Sequence, residues 1–276
     1  MKIRLHIGVA TVFTLLTSVV LSILVAFLYF GNKELAILTA NEDMVAARSR
    51  SVADMLSVIQ GAGNLVSSAS AFVGNFPEQA SSVAGLKVLQ SLIEDGDHYY
   101  GVYFGDERSG DFFQAINLPD NLNTFGPNDA PVPEETGHVL RVISGIADNR
   151  REAFYWSDGQ GKSTAFYAGS TEYDPRTRPW YSGASESDDI YTTQLYRFES
   201  TGELGVTFAQ RITDKTGRLV GVVALDMTMA ALSSILDNNR IGEFGLAFML
   251  DLNGRLLSYT GTRSEGEPTR FISSNT

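Results

Sequence analysis

Between Ile7 and Phe30 the chain runs for 24 residues without a formal charge, and Leu, Val, Ile and Phe dominate the run. At about 1.5 Å of rise per residue, a helix of this length spans the roughly 30 Å hydrocarbon core of a bilayer. Lys2 and Arg4 precede it, whereas Lys33 beyond it is followed by Glu34, Glu42 and Asp43. The positive-inside bias predicts a cytoplasmic N-terminus, an anchor over residues 1–31, and everything beyond it outside the membrane. A cleaved signal peptide would have a shorter apolar region ending in a small-x-small site. Leu28-Tyr29-Phe30 is a poor cleavage site, so the run is read as an uncleaved anchor. A buried core helix would rarely be this long and this free of charge.

Past the anchor, residues 32–74 contain no proline, and Leu38, Val45, Val52, Ile59 and Val66 recur every seven positions with Met55, Ala62 and Ala69 offset by three. That stripe predicts one long amphipathic helix, packed on its own domain or on a twin helix from a second subunit. Asn41 and Arg48 interrupt the offset row near the membrane. Residues 75–238 then read as a folded module. A second helix is expected over Val83–Ile93, and a β-hairpin from His98–Phe104 and Asp111–Ile116. The stretch Leu118–Pro133 is irregular, and a further helix is expected over Glu134–Ala147. Strand signals follow at Glu152–Trp156 and Ser163–Ala168. An antiparallel meander is expected from Ile190–Tyr196, Leu204–Ile212 and Leu219–Asp226, the last run apolar enough to be central. After a helix over Thr228–Asn238, the run Phe244–Asp251, the Asn253-Gly254 turn and Arg255–Tyr259 open a fresh hairpin. Residues 239–276 are therefore read as the start of a second sheet module, cut short.

The stretch Tyr173-Asp-Pro-Arg-Thr-Arg-Pro-Trp-Tyr181 is the densest in chemistry. Pro175 and Pro179 fix their own φ and push the residues before them out of the α region, which predicts a stiff, extended loop. Arg178 offers a planar fork of donors suited to a carboxylate. Tyr173, Trp180 and Tyr181 can wall a site with apolar faces and polar tips. Tyr196 ends the next strand. Asp226 ends the most apolar run of the folded part, where a carboxylate is costly unless exposed or paired. Arg178 for a carboxylate and Asp226 for an ammonium would together hold an α-amino acid. Two blander readings stay open: the pair bond each other, or Asp226 caps the helix near Thr228.

Anchor, long helix, proline stretch, Val-Val-Ala-Leu-Asp226 and a second module together resemble the double Cache sensor family over roughly residues 33–276. The resemblance implies an α+β chain with PAS-like antiparallel sheet modules, outside the inner membrane of a bacterial receptor. An amino-acid-binding subset of that family carries a motif that Tyr173, Arg178, Trp180, Tyr181, Tyr196 and Asp226 match here. It implies that Arg178, Trp180 and the first tyrosine take the ligand carboxylate, and that Asp226 and a later tyrosine take the amine. Phe198 departs from the pattern, standing where many amino-acid binders carry an aspartate; that leaves other small carboxylates open.

Composition narrows the remainder. Cysteine is absent, and His6, His98 and His138 lie far apart, so no cysteine- or histidine-ligated metal site and no cofactor is expected. Beyond residue 30 the chain carries 19 basic and 32 acidic residues, a net of −13, which argues against nucleic acid. Glu134-Glu135 and Asp188-Asp189 read as solvated loop acids. The Gly159–Ser163 segment reads as a hairpin turn and not a phosphate loop. No Gly-x-Ser-x-Gly elbow is present, and no enzymatic activity is expected within the chain. The expected partners are a small ligand, the membrane and a second copy joined through the long helix. A sensor of another small carboxylate or amine is the alternative within the class, and a membrane-anchored adhesion or assembly module without a small ligand is the competing class.

Overall fold

The computed structural model describes residues 2–94, 98–118, 122–126, 129–134, 136–146, 149–158, 162–238, 248–250, 254 and 256–259, with residues 2–12 and 256–259 as backbone alone. The chain divides into two compact units, Met1–Ala53 and Asp54–Thr276. The first is helical throughout its described length, as part of α1 (Lys2–Asn75). Its side chains from Phe13 to Phe30 are all exposed, and by length and composition the helix can cross a bilayer. Leu38, Val45 and Val52 of the heptad stripe are exposed as well.

The second unit is built on an antiparallel sheet whose strands run in the order β5-β4-β3-β2-β1-β9-β8-β6, with β7 also paired to β8. The strands are β1 (Gly101–Asp106), β2 (Phe112–Ile116), β3 (Thr136–Ser144), β4 (Arg151–Asp158), β5 (Ser163–Ser170), β6 (Tyr191–Thr192), β7 (Tyr196–Arg197), β8 (Leu204–Thr213) and β9 (Leu219–Thr228). Helices α2 (Pro77–Ala80), α3 (Val83–Ser91), α4 (Pro179–Ser185) and α5 (Met229–Asn238) surround it, and β10 (Phe248–Leu250) pairs with β11 (Leu256–Tyr259) as a separate hairpin. Mixed α and antiparallel β is the class the sequence predicted.

Alternation along the strands sorts the side chains between two buried faces. One face carries Val102, Phe104, Phe113, Ala115, Leu140, Phe208, Val223 and Leu225, packed with Ala62, Val66, Ala69 and Val73 of α1 and with Leu86 and Leu89 of α3. The distal part of the heptad stripe therefore packs within its own unit. The other face carries Tyr103, Phe112, Ile143, Ala209, Val222 and Ala224, covered by Trp180, Tyr181 and Ala184 of α4. Strand β9 lies between β1 and β8 with both faces covered, so its sequence shows no polar alternation.

The same double burial explains the main departure from the sequence reading. Residues 136–144 form strand β3 and not the expected helix over Glu134–Ala147. Val139, Leu140, Val142 and Ile143 mimic helical spacing because Leu140 and Val142 pack on the helix-bearing face, while Val139 and Ile143 pack on the opposite one. The run Ile190–Tyr196 is also broken, into the short strands β6 and β7. The proline stretch is not extended throughout. Pro175–Thr177 is a 3-10 turn and Pro179 begins α4, each proline sitting at the first helical position, where its missing N–H costs nothing. The residues before them are extended as required, Asp174 at φ −123°, ψ 117° and Arg178 at φ −89°, ψ 147°. The expected Gly159–Gly161 turn and most of residues 239–276 lie outside the described residues.

Candidate functional site

Several buried polar side chains of the sheet share the face opposite α1. Register places them: Thr207 and Gly101 flank Asp226, Gln114 faces Tyr103, and Arg141 faces Gln114. Residues directly opposite in an antiparallel pair share a face. Asp226, Thr207, Tyr103, Gln114 and Arg141 thus form one polar band across five strands.

Asp226 is 4% exposed, and its Oδ1 accepts hydrogen bonds from the Tyr103 hydroxyl at 2.6 Å and from Thr207 Oγ1 at 2.5 Å. Because the Thr207 proton is used there, the Tyr196 hydroxyl donates to Thr207 Oγ1 at 2.7 Å. Burial pushes the Asp226 carboxyl up to about 7, and the two hydroxyl donors only partly offset it. Tyr103 and Tyr196 are both raised above the ordinary phenol value, by burial first and by the nearby Asp226 second, so both remain donors. Thr228, and not Asp226, caps α5, its Oγ1 accepting from the Ala231 N–H at 3.1 Å.

Arg178 enters from the proline stretch. Its guanidinium lies 5.7 Å from the Tyr173 ring centroid, and Arg141 lies 5.2 Å from the same ring, so both cations contact one aromatic ring. Arg178 Nη1 pairs with Glu199 Oε2 at 3.1 Å; the Glu199 side chain is 56% exposed. Arg141 gives Nε and Nη2 to Glu152 Oε2, at 3.1 and 2.6 Å, in a buried pair. Arg150 fixes the entry to the stretch, donating to the carbonyls of Tyr173, Gly145 and Gly110. Trp180 stands edge-on to Tyr103 at 4.8 Å between centroids.

These groups surround a cavity of about 20 Å³, lined by Tyr103, Gln114, Tyr173, Arg178, Trp180, Tyr196, Phe198 and Asp226 among others. Arg141, Tyr173, Arg178, Glu199 and Ser200 also border an open cleft of about 370 Å³. The smaller space holds about one water. A carboxylate-binding cation and a carboxylate that receives donors therefore border the same space, and each is bonded to other groups instead of to its counterpart. Of the six residues the sequence singled out, five line the cavity. Tyr181 does not: its hydroxyl donates to Glu107 Oε2 at 2.8 Å, and its ring packs beneath the proline stretch beside Gly105.

Tyr103, Thr207, Gln114, Arg141 and Glu199 were not singled out from the sequence. Thr207 had a usable signal, since pairing the meander in register sets it opposite Asp226; Tyr103 had less, because it lies on β1, outside the meander, opposite Ala224. Glu199 had none, because it stands in a turn whose composition marks only a turn. Phe198 is buried against Tyr100 and Tyr196, at 5.7 and 5.4 Å between ring centroids, and brings no polar group to the cavity.

Residues 134–234 match the family described as methyl-accepting chemotaxis protein-like, first PDC sensor domain. Adenylate cyclase 1 of Rhizobium meliloti is 30% identical over 246 residues, covering 86% of this chain and 35% of the cyclase. The chemotaxis protein McpC of Bacillus subtilis is 32% identical over 95 residues, 34% of this chain and 14% of that protein. The chain therefore spans about a third of the first relative and a seventh of the second. Among solved structures, the ligand-binding domain of the Pseudomonas fluorescens chemoreceptor CtaA in complex with L-alanine is 20% identical, with a TM-score of 0.46 over 76% of this chain and 67% of that one. Residues 134–234 of this chain are thus similar to the first PDC sensor domain of methyl-accepting chemotaxis proteins.

Proposed function

We propose that the chain is the extracytoplasmic ligand-sensing part of a bacterial membrane receptor and that its ligand is a small zwitterion, an α-amino acid. The observation that carries this reading is the shared cavity of Arg178 and Asp226, in which neither group bonds the other. The ligand carboxylate takes the Arg178 fork, with Trp180 and Tyr173 forming the wall beside it. The ammonium takes the Asp226 carboxylate, held in place by Tyr103 and the Tyr196–Thr207 pair. Room for more than a water requires Glu199 to leave Arg178, which joins the small cavity to the larger cleft. An exposed ion pair contributes at most about 1 kcal/mol, so this displacement is cheap. Chemistry other than sensing is assigned to segments outside this chain, and the exposed row Leu38, Val45 and Val52 of α1 to contact with a second copy.

A ligand shifts a receptor only by its difference in affinity between two states. Displacing Glu199 from Arg178 on binding supplies one such difference, since the turn carrying Glu199 is then held differently with and without ligand. A second reading, another small carboxylate, is favoured by Phe198 and by Glu199 itself, a lone carboxylate already seated on Arg178. Thermal-shift screening of the full chain in detergent with amino acids and organic acids decides. An amino acid that raises the melting temperature, and fails to do so in Arg178→Ala, supports the first reading. A response to organic acids alone selects the second. No response with the fold intact refutes both and favours an adhesion or assembly module.

A further inference from the structure

The cavity contains a polar group that no neighbour satisfies. Among its described lining residues, Gln114 alone keeps a buried polar atom, Oε1, without a hydrogen-bond partner, although the residue is only 3% exposed. Buried amide oxygens are nearly always bonded, and an orphan facing a cavity marks a place where a donor belongs. Its position follows from the sheet. Gln114 pairs with Tyr103 across β1 and β2, and Gly101, two residues before Tyr103 on the same face, pairs with Asp226. A Cβ on Gly101 would lie 3.4 Å from Gln114 Nε2, so the amide leans over the glycine into the row that holds Asp226. With adjacent strands spaced about 4.8 Å apart, an amide above β1 and a carboxylate on β9 stand within reach of one small cation.

The geometry points to Gln114 as the second acceptor for the ligand's ammonium, which restricts the site to amines that carry at least two N–H groups when protonated and also a carboxylate. This rests on the reading that an amino acid occupies the Arg178–Asp226 cavity. Oε1 takes one N–H and the Asp226 carboxylate takes another. The residue supplies from β2 what the turn after β7 does not, because Phe198 there is apolar and packed on Tyr100. Neutral Gln adds acceptor strength without a second buried charge beside Asp226, which burial already disfavours. Gly101 is part of the device, since a side chain at that row would stand between the two acceptors.

The test is calorimetric titration of the full chain in detergent micelles with the twenty protein L-α-amino acids, each beside the acid that has hydrogen in place of the amine. Gln114→Met keeps the length of the side chain and removes the amide. It is expected to weaken the best-bound amino acid about tenfold or more, the effect of one hydrogen bond to a charged group, and to leave its des-amino partner unchanged. Unchanged amino-acid affinity overturns the inference and leaves the amino-acid reading standing. Equal losses in both series also overturn it, since they report packing. If the wild-type chain binds no amino acid at all, the underlying reading fails and takes this inference with it. Gln114→Glu covers the case in which the Met variant does not fold. It keeps the shape and the acceptor and replaces only the donor nitrogen. Retained or tighter amino-acid binding supports the assignment, and a tenfold loss in the folded variant refutes it by making the amide a donor.

Discussion

Asp226 and Glu199 are both carboxylates near one cation, yet their surroundings give them opposite roles. Glu199 is exposed, so on the proposed reading its bond to Arg178 competes with a carboxylate ligand at little cost to the fold. Replacing it by glutamine removes the competing charge. Glu199→Gln should tighten ligand binding about threefold to tenfold, with unfolding stability unchanged to within about 0.5 kcal/mol. Titration of both proteins with the same amino acid checks this, and equal or weaker affinity in the variant would show that Glu199 does not compete. Asp226 is buried and titrates near 7, well above the about 3.9 of an unfolded aspartate. Only its ionised form accepts an ammonium. Amino-acid affinity should therefore fall by up to about tenfold per unit as pH drops below 7, and Asp226→Asn should bind more weakly at pH 8 and show a flatter profile. Without ligand the sign reverses. Between about pH 4 and 7 the native state holds a proton that the unfolded chain releases, so this group's contribution to stability is greatest below about pH 4 and is lost as pH rises through 7. Urea titrations of wild type and Asp226→Asn across that range should differ in slope by this one group. Both roles rest on facts about neighbours: the sequence shows Asp226 as a carboxylate ending an apolar run, whereas its hydroxyl partners emerge only once β1, β8 and β9 are paired.

At the level of elements, α1 shows how one heptad stripe can serve different surroundings along its length. Val66 is fully buried within the second unit, whereas Val45 is 61% exposed. Val66→Ala should cost about 2 kcal/mol of unfolding free energy, from lost burial plus the cavity left behind, and Val45→Ala less than about 0.5 kcal/mol. Denaturant midpoints measured on the full chain distinguish the two, and equal losses would contradict the packing described here. The periodicity announced the helix but not the change of surroundings, because apolar spacing is the same whatever covers it. Strand β3 illustrates the converse. Its Val and Ile residues fit a helical wheel only because a strand buried on both faces has no polar alternation to show. The proline stretch was legible in its backbone rule and not in its shape. Asp174 and Arg178 are extended as residues before proline must be, but proline also starts helices, and Trp180, Tyr181 and Ala184 find a buried face only as a helical turn. Gly105 makes that seating possible, since a Cβ there would lie 2.9 Å from Pro175 and 3.0 Å from Tyr181.

For the molecule as a whole, the distribution of charge and the absence of cysteine make the proposed arrangement directly measurable. Lys2 and Arg4 precede an apolar run with no acid among the first 30 residues, and the remainder carries a net charge of −13. The opposite orientation would put Lys2 and Arg4 outside, against the bias that sets orientation, which counts Lys and Arg near the ends of the span. Because the chain has no cysteine, one introduced thiol is its sole reactive sulfur. Lys215 stands exposed in the turn between β8 and β9 and does not line the cavity, so Lys215→Cys leaves the site and the core intact. In spheroplasts expressing this variant, a membrane-impermeant maleimide should label the protein before lysis. A cysteine placed at Lys2 should stay unlabelled until the membrane is broken. The reverse pattern would put the module inside the cell and remove its access to external ligands. Labelling of both positions before lysis would mean that no segment between them crosses the membrane, and the 24 apolar residues would then need another apolar environment.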